Sequence, residues 1–168
     1  AFSYETSGQF SVPDTAAGCR LKKMITLQRG DVFEVTGSPT ATPSLNALKA
    51  VGGVPTPEDP RRHFHVTAGA TLRLSYLNVT GGRVDSTSGS EPFYSHGGSV
   101  LVNGATAKLV VTSTLFSGCG DRDCARAGGA IAAFDGATVN VISSTFASIR
   151  TKMFGGAIYT KGPYHSTK

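Results

Sequence analysis

Three cysteines are the side chains in this sequence best suited to covalent chemistry. Cys119 and Cys124 enclose the polar residues 120–123, and a disulfide between them would close a turn that has no apolar residue of its own. A zinc site is the alternative, but it requires four ligands, and the sequence brings no others to this segment. We therefore predict a Cys119–Cys124 disulfide. Cys19 is left to pair with a segment outside this sequence, to pair with another chain, or to lie buried as a free thiol.

Histidines and carboxylates are the residues that could hold a metal or catalyse hydrolysis. His63 and His65 lie two apart, so both would project from one face of a strand, but no third ligand is placed beside them. The 11 acidic residues are scattered, and the close pair Asp121 and Asp123 lies between two cysteines. Glycosidases need two carboxylates at a set separation. We therefore predict two solvent-facing histidines, no metal, no cofactor and no catalytic residue, while a site assembled from several parts of the fold stays open.

Asn78, Val79 and Thr80 form an N-glycosylation sequon. If this segment alternates as a strand, Val79 points inward and Asn78 points outward, where a glycan could be carried. Disulfides persist in oxidising compartments. The sequon and the cysteine pair together predict a secreted, extracellular or cell-surface location.

A recurring motif predicts the elements that position these residues. It reads Gly-Ala-Thr followed by alternating apolar and polar residues, with copies at 69–74, 104–109 and 136–141 and a looser copy at 30–35. Gly-Gly pairs follow the same rhythm at 97–98, 128–129 and 155–156. Alternation with a period of two indicates strands, and repetition at this length is typical of a solenoid.

Aligning the motif copies predicts columns of apolar core residues at three places in each unit. In the first strand of each unit, Phe33, Leu72, Ala107 and Val139 would share one position, and Val35, Leu74, Leu109 and Val141 the next inward position. The column after the Gly-Gly pairs contains Val100, Ile131 and Ile158. The column that ends each unit contains Phe116 and Phe146, with Val79 as their equivalent, and the copy with Phe116 carries two extra residues. Stacking such units at about 4.8 Å pairs like strands in parallel.

We therefore predict an all-β protein, a right-handed parallel β-helix solenoid of about four coils, with an N-terminal cap and an unfinished C-terminal coil. The cap is 1–23 and the repeats are 24–168, interrupted by loop excursions at 37–62, 83–96 and 117–127. The last Gly-Gly pair opens a coil that the sequence does not complete. An open coil end exposes unpaired backbone groups, so we expect a longer chain or a partner that covers this end.

Charge and hydropathy exclude some classes of partner. The net charge is +5, but the basic residues are spread out and no run of them marks a nucleic-acid surface. No apolar run approaches the ~20 residues of a membrane span. The expected partners are other chains of an extracellular assembly or further repeats of the same chain, with acidic polysaccharide as a possible ligand of the basic surface.

The Gly-Gly motifs also carry a family resemblance. They read Gly-Gly-Ala-Ile at 128–131 and 155–158 and Gly-Gly-Ser-Val at 97–100, and residues 62–66 lead into the Gly-Ala-Thr-Leu motif at 69–72. In these features the chain resembles the parallel β-helix proteins of the pectin-lyase-like superfamily, in particular chlamydial polymorphic-membrane-protein-type and algal extracellular repeat proteins. The chlamydial repeats pair Gly-Gly with Phe-x-x-Asn, and here no asparagine follows Phe116 or Phe146 at that spacing. The resemblance implies a surface protein with an adhesive or structural role.

Two hypotheses about function follow. The first is a non-catalytic secreted or cell-surface β-helix segment with a structural or adhesive role in an extracellular assembly. The alternative is a polysaccharide-active β-helix enzyme, lyase or hydrolase-like, or a carbohydrate-binding module derived from one.

Overall fold

The described part of the chain contains strands, turns and bends, and no helix. The computed structural model describes residues 7–12, 19–21, 23–47, 61–84, 95–119 and 123–162. In chain order the strands are β1 (Ser7–Ser11), β2 (Cys19–Arg20), β3 (Ile25–Leu27), β4 (Val32–Thr36), β5 (Ser44–Asn46), β6 (Phe64–Val66), β7 (Thr71–Ser75), β8 (Asn78–Thr80), β9 (Val100–Asn103), β10 (Lys108–Thr112), β11 (Leu115–Ser117), β12 (Ala125–Ala127), β13 (Ile131–Phe134), β14 (Thr138–Ile142), β15 (Thr145–Ala147), β16 (Thr151–Phe154) and β17 (Ile158–Lys161).

These strands form four sheets in which every strand pairs in parallel with its neighbours. The first sheet has the order β1-β4-β7-β10-β14, the second β2-β5-β8-β11-β15, and the third β3-β6-β9-β13-β17. The fourth sheet contains β12 and β16 alone. The chain therefore passes through the first, second and third sheets in that order, and it repeats this order along its length. This all-β, all-parallel arrangement is compatible with the predicted parallel β-helix.

The inward faces of the first three sheets share one hydrophobic core. Leu72 of the first sheet, Val79 of the second and Phe64 of the third are all fully buried in the same cluster. The strands alternate as expected, since Leu72 and Leu74 are buried while Arg73 between them is exposed. Every residue predicted for the core columns belongs to this cluster or packs against it: Phe33, Val35, Leu72, Leu74, Leu109, Val139, Val141, Val100, Ile131, Ile158, Phe116 and Phe146.

The register of the third motif copy corrects one predicted alignment. Leu109 pairs with Leu72 and Val139, whereas the sequence alignment had placed it with Leu74 and Val141. Val111 is the residue in line with Leu74 and Val141. The two extra residues of this copy precede β10, so its Gly-Ala-Thr triplet lies two residues before the structural equivalents of the other triplets. For the same reason Thr106 of this triplet is not in line with the threonines of the other copies, because Lys108 lies between Thr71 and Thr138.

The shift places a threonine where the other copies have glycine. Thr106 has φ +66, and its structural equivalents Gly69 and Gly136 have φ +79 and +82. A β-branched residue in this left-handed region is strained, at a cost of order 1–3 kcal/mol. Thr106 is exposed, so removing its side chain loses no core contact.

Thr106→Gly should therefore stabilise the protein, by about 1 kcal/mol, because it relieves the strain of the left-handed conformation. The matched control is Thr138→Gly, which removes an exposed threonine from a strand and should destabilise by a similar amount. Urea unfolding followed by circular dichroism gives both values. A destabilised Thr106→Gly protein would contradict the register.

Strands also lie inside ranges that the sequence assigned to a cap and to loops. β1 and β2 fall within 1–23, and they form the first edges of the first and second sheets. β5 lies inside 37–62, which the sequence assigned to a loop. β12 lies inside 117–127 and begins the fourth sheet, which no sequence pattern had indicated.

Candidate functional site

The Gly-Gly pairs form close backbone contacts between neighbouring layers of the fold, where a layer is one passage of the chain through the three large sheets. The first glycine of each pair is left-handed, with φ +66 at Gly97, +60 at Gly128 and +56 at Gly155. The second glycine has no room for a side chain: a Cβ atom on Gly98 would collide with the carbonyl oxygen of Gly129 in the next layer. The first position thus requires glycine for its backbone conformation, and the second for the close approach of the next layer.

In the last pair, Gly155 and Gly156, the second glycine has room for a side chain. A Cβ atom on Gly129 would lie 2.7 Å from the carbonyl oxygen of Gly156 in the layer that follows. A Cβ atom on Gly156 would meet nothing within 4 Å. The sequence therefore has a glycine at a position where only an additional layer would demand one.

The side chains of the last strands are correspondingly uncovered. Val139 and Val141 of β14 are only partly buried, although their neighbours Leu109 and Val111 in β10 are fully buried. The same contrast separates Phe146 from Phe116 and Ile158 from Ile131. Among the described residues no further strand pairs with β14, β15, β16 or β17. We call the outer side of these four strands the open edge.

Large apolar and aromatic side chains lie at the open edge. Ile142, Met153 and Phe154 are 45, 49 and 57% exposed. The Phe154 ring stacks on Tyr159, with ring centroids 6.4 Å apart, and Tyr159 stacks in turn on His96 at 5.7 Å. Edge strands, which have backbone groups free on one side and here carry exposed apolar side chains, readily pair with another strand. The open edge is therefore the candidate functional site of this chain.

The predicted disulfide is present near the same end of the fold. Cys119 follows β11 and Cys124 precedes β12, and the two are bonded with their Cα atoms 5.4 Å apart. Cys19 is a free thiol in the described residues, partly buried against the core, and burial raises its pKa. Disulfides are rare in the cytosol, so the bond gives a weak indication of a compartment outside it.

Asn78 lies at the start of β8, with Val79 buried beside it. Its Oδ1 atom accepts a hydrogen bond of 2.9 Å from the Ser117 hydroxyl, and its Nδ2 atom donates one of 3.4 Å to the Ser44 hydroxyl. The side chain is half-buried between the neighbouring strands of the second sheet. Glycosylation of Asn78 stays a prediction.

The prediction of two solvent-facing histidines was wrong for His63, which is fully buried. His63 precedes β6 at a bend, and its ring turns inward, where Nε2 donates a hydrogen bond of 3.1 Å to the Leu45 carbonyl oxygen. His65 is within β6, half-buried, in register with Thr26 and Leu101. Among the described residues no group of three or more His, Cys, Asp or Glu side chains could hold a metal ion.

Burial sets the protonation of both histidines. Burial lowers the pKa of His63 to about 4, partly offset by the backbone of Leu45 and Thr80. Burial and, secondarily, the Arg62 guanidinium lower the pKa of His65 to about 4. Both rings are therefore neutral at pH 7. Arg62 is itself buried, and it donates hydrogen bonds to the carbonyl oxygens of Gly97 and His96.

The pKa of His63 predicts a loss of stability in mild acid. In the unfolded chain His63 titrates near 6.5, so between pH 6.5 and 4 the unfolded state binds a proton that the folded state does not. The free energy of unfolding should fall through this window by roughly 3 kcal/mol from His63 alone.

His63→Gln tests this prediction because the amide can still donate to the Leu45 carbonyl while no longer titrating. Urea unfolding at pH 7, 5.5 and 4 should show a shallower pH dependence in this variant than in the native protein. His63→Gln combined with His65→Gln should flatten it further. An unchanged pH dependence in the single variant would contradict the assignment.

Comparisons with known proteins give no relative: no family model, no curated protein and no solved structure matches this chain. In the described ranges, no helix has the length and apolar character to cross a membrane.

Proposed function

We propose that this chain is a structural, non-catalytic segment of a right-handed parallel β-helix that functions in an extracellular or cell-surface assembly. In this proposal one passage through the first three sheets is one coil, and the strands β1–β17 supply five such passages. The observation that carries the proposal is the open edge, where inward-facing side chains are half-exposed and four strands have no partner on one side among the described residues.

A rigid stack of coils suits a structural role. Each coil contacts only the coils before and after it, so the length of the rod is set by the number of coils. The edge strands can extend the rod by parallel strand addition, in which backbone hydrogen bonds supply affinity and side-chain columns supply register. The covering coil comes from further repeats of the same chain or from another chain of the assembly.

The location outside the cytosol rests on two features. The Cys119–Cys124 disulfide favours an oxidising compartment, and the Asn78 sequon is available for glycosylation if the chain is secreted. The family resemblance implied the same location.

Cross-linking mass spectrometry of the protein from its natural source tests the assembly role. Lys152 of β16 and Lys161 of β17 should cross-link to a polypeptide segment outside residues 1–168, because the covering coil lies against these strands. Lys108 of β10, which has β7 and β14 on its two sides, is the internal control and should give no such links. Non-reducing digestion of the same sample should show a linked Cys119–Cys124 pair and a glycan on Asn78.

Two results would count against the proposal. If every cross-link of Lys152 and Lys161 is one that a single copy of the fold accounts for, the open edge has no partner. If Cys119 and Cys124 are free thiols and Asn78 is bare, the extracellular location loses its support.

A further inference from the structure

The fourth sheet forms a fourth side of the fold, and this side becomes longer from layer to layer toward the open edge. It starts as a single parallel bridge between His96 and Ala127. The next layer has the three-residue strand β12 at this side, and the last layer has the four-residue strand β16. His96, β12 and β16 each lead directly into a Gly-Gly pair. The Gly-Gly pair and the fourth side therefore occur together.

The opposite end of the described structure lacks this side. Its edge consists of β1, β2 and β3, and the described residues from 7 to 27 contain no strand equivalent to β12 or β16. A second copy of this chain that docked through that end would leave β16 without a partner. It would also place no Gly-Gly pair against Gly156.

The contacts between the last two layers define what a covering segment must supply. Gly129 donates a backbone hydrogen bond of 2.8 Å to the Gly156 carbonyl oxygen, and Ile131 lies in register with Ile158. Phe116 stacks in parallel on Phe146 at 5.2 Å, and Ala127 is in register with Phe154. Continuing these contacts by one layer requires a glycine carbonyl over Gly156, apolar residues over Phe146 and Ile158, and a strand beside β16.

Resting on the proposed function, we infer that the segment covering the open edge is a coil of the same kind as residues 135–161. It contributes four strands, and a Gly-Gly pair precedes the last of them. The occupant is thus a further coil of this repeat type, rather than the β1–β3 end of a second copy.

The test inserts a second copy of residues 135–161 between Lys161 and Gly162 of the full chain. This copy supplies strands equivalent to β14–β17 in the order that the fold requires. The control insertion is a copy of residues 7–27, which carries the sequences of β1, β2 and β3 but no Gly-Gly pair and, among its described residues, no strand equivalent to β12 or β16. Hydrogen exchange of the amides in β14–β17 is the readout, since an added layer protects them.

The matching insertion should slow exchange of the edge amides on the order of 100-fold, and the control insertion should not. Gly156→Val should leave the parent chain nearly unchanged, because a Cβ atom there meets nothing within 4 Å and the position faces the open edge. In the chain with the matching insertion, the same substitution should abolish the protection.

Three results would overturn the inference. The first is equal protection by both insertions, and the second is protection that survives Gly156→Val. The third is self-association of the parent chain that slows alkylation of the Cys19 thiol, which would indicate that the β1–β3 end of a second copy is the occupant. Each of these leaves the proposed function standing, because an edge is still covered. Cross-links of Lys152 and Lys161 in the natural protein that a single copy of the fold fully accounts for would instead refute the proposed function itself.

Discussion

Replacing Ile131 by aspartate is expected to abolish folding. Ile131 is fully buried, it lies between Val100 and Ile158 in the third sheet, and it belongs to the core that the first three sheets share. An unpaired carboxylate in this position loses its hydration without gaining a partner, at a cost of several kcal/mol. Because native proteins are stable by only about 5–15 kcal/mol, this single change consumes most or all of the stability.

Soluble yield, circular dichroism and cooperative urea unfolding measure the outcome. Ile142→Asp is the matched control: it makes the same substitution in β14, where the side chain is 45% exposed, and it should leave a folded protein. A soluble Ile131→Asp protein that unfolds cooperatively would refute the shared core.

Replacing Gly98 by alanine is expected to have the second largest effect, a destabilisation of roughly 3 kcal/mol. The added methyl group would collide with the Gly129 carbonyl oxygen, and it would lie 3.0 Å from the carbonyl oxygens of Cys124 and Gly82. All three obstacles are backbone atoms, so no side-chain rotation relieves the contact, and neighbouring layers must move apart.

Gly156→Ala provides the comparison within the same repeat. It makes the same chemical change at the equivalent position of the last layer, and nothing lies within 4 Å of the new methyl group. Its effect on the free energy of unfolding should therefore be within about 0.5 kcal/mol. Equal destabilisation by both variants would mean that the second glycine of the pair is needed for a reason other than the next layer.

The sequence predicted the strands and the core because strand alternation and the repeated glycines report directly on packing. Leu72, Leu74 and Arg73 show this well, since their alternation alone assigns each to its face. The Gly-Gly pairs were also recognised from the sequence. The contacts between layers were needed to show that the first glycine is required for its positive φ and the second for the close approach of the next layer.

What the sequence could not predict depends on which residues become neighbours across layers. The register of β10 was misjudged because Thr106 takes a left-handed conformation that usually indicates glycine. The two extra residues before Phe116 were the available signal. The strand β12 has only three residues, too few for its alternation to stand out, so it was assigned to a loop. His63 was misplaced because it lies at a bend where strand alternation no longer applies.

The open edge, too, could be predicted only in part. The sequence indicated that the last Gly-Gly pair opens a coil, but it had placed β12, one of the two strands of the fourth sheet, in a loop. The fourth side follows from the pairing of β12 with β16, and the empty space beside Gly156 follows from the layer geometry. Both require knowledge of which strand lies next to which.

Hydrogen exchange on the protein purified from its natural source tests the central claim most directly, which is that a further β-coil covers the open edge. The account predicts that the amides of β14, β15, β16 and β17 exchange slowly in the natural assembly, at rates comparable to those of β10 and β13, and quickly in the isolated 168-residue chain. Fast exchange of these four strands in the natural protein, with β10 and β13 protected, would contradict it.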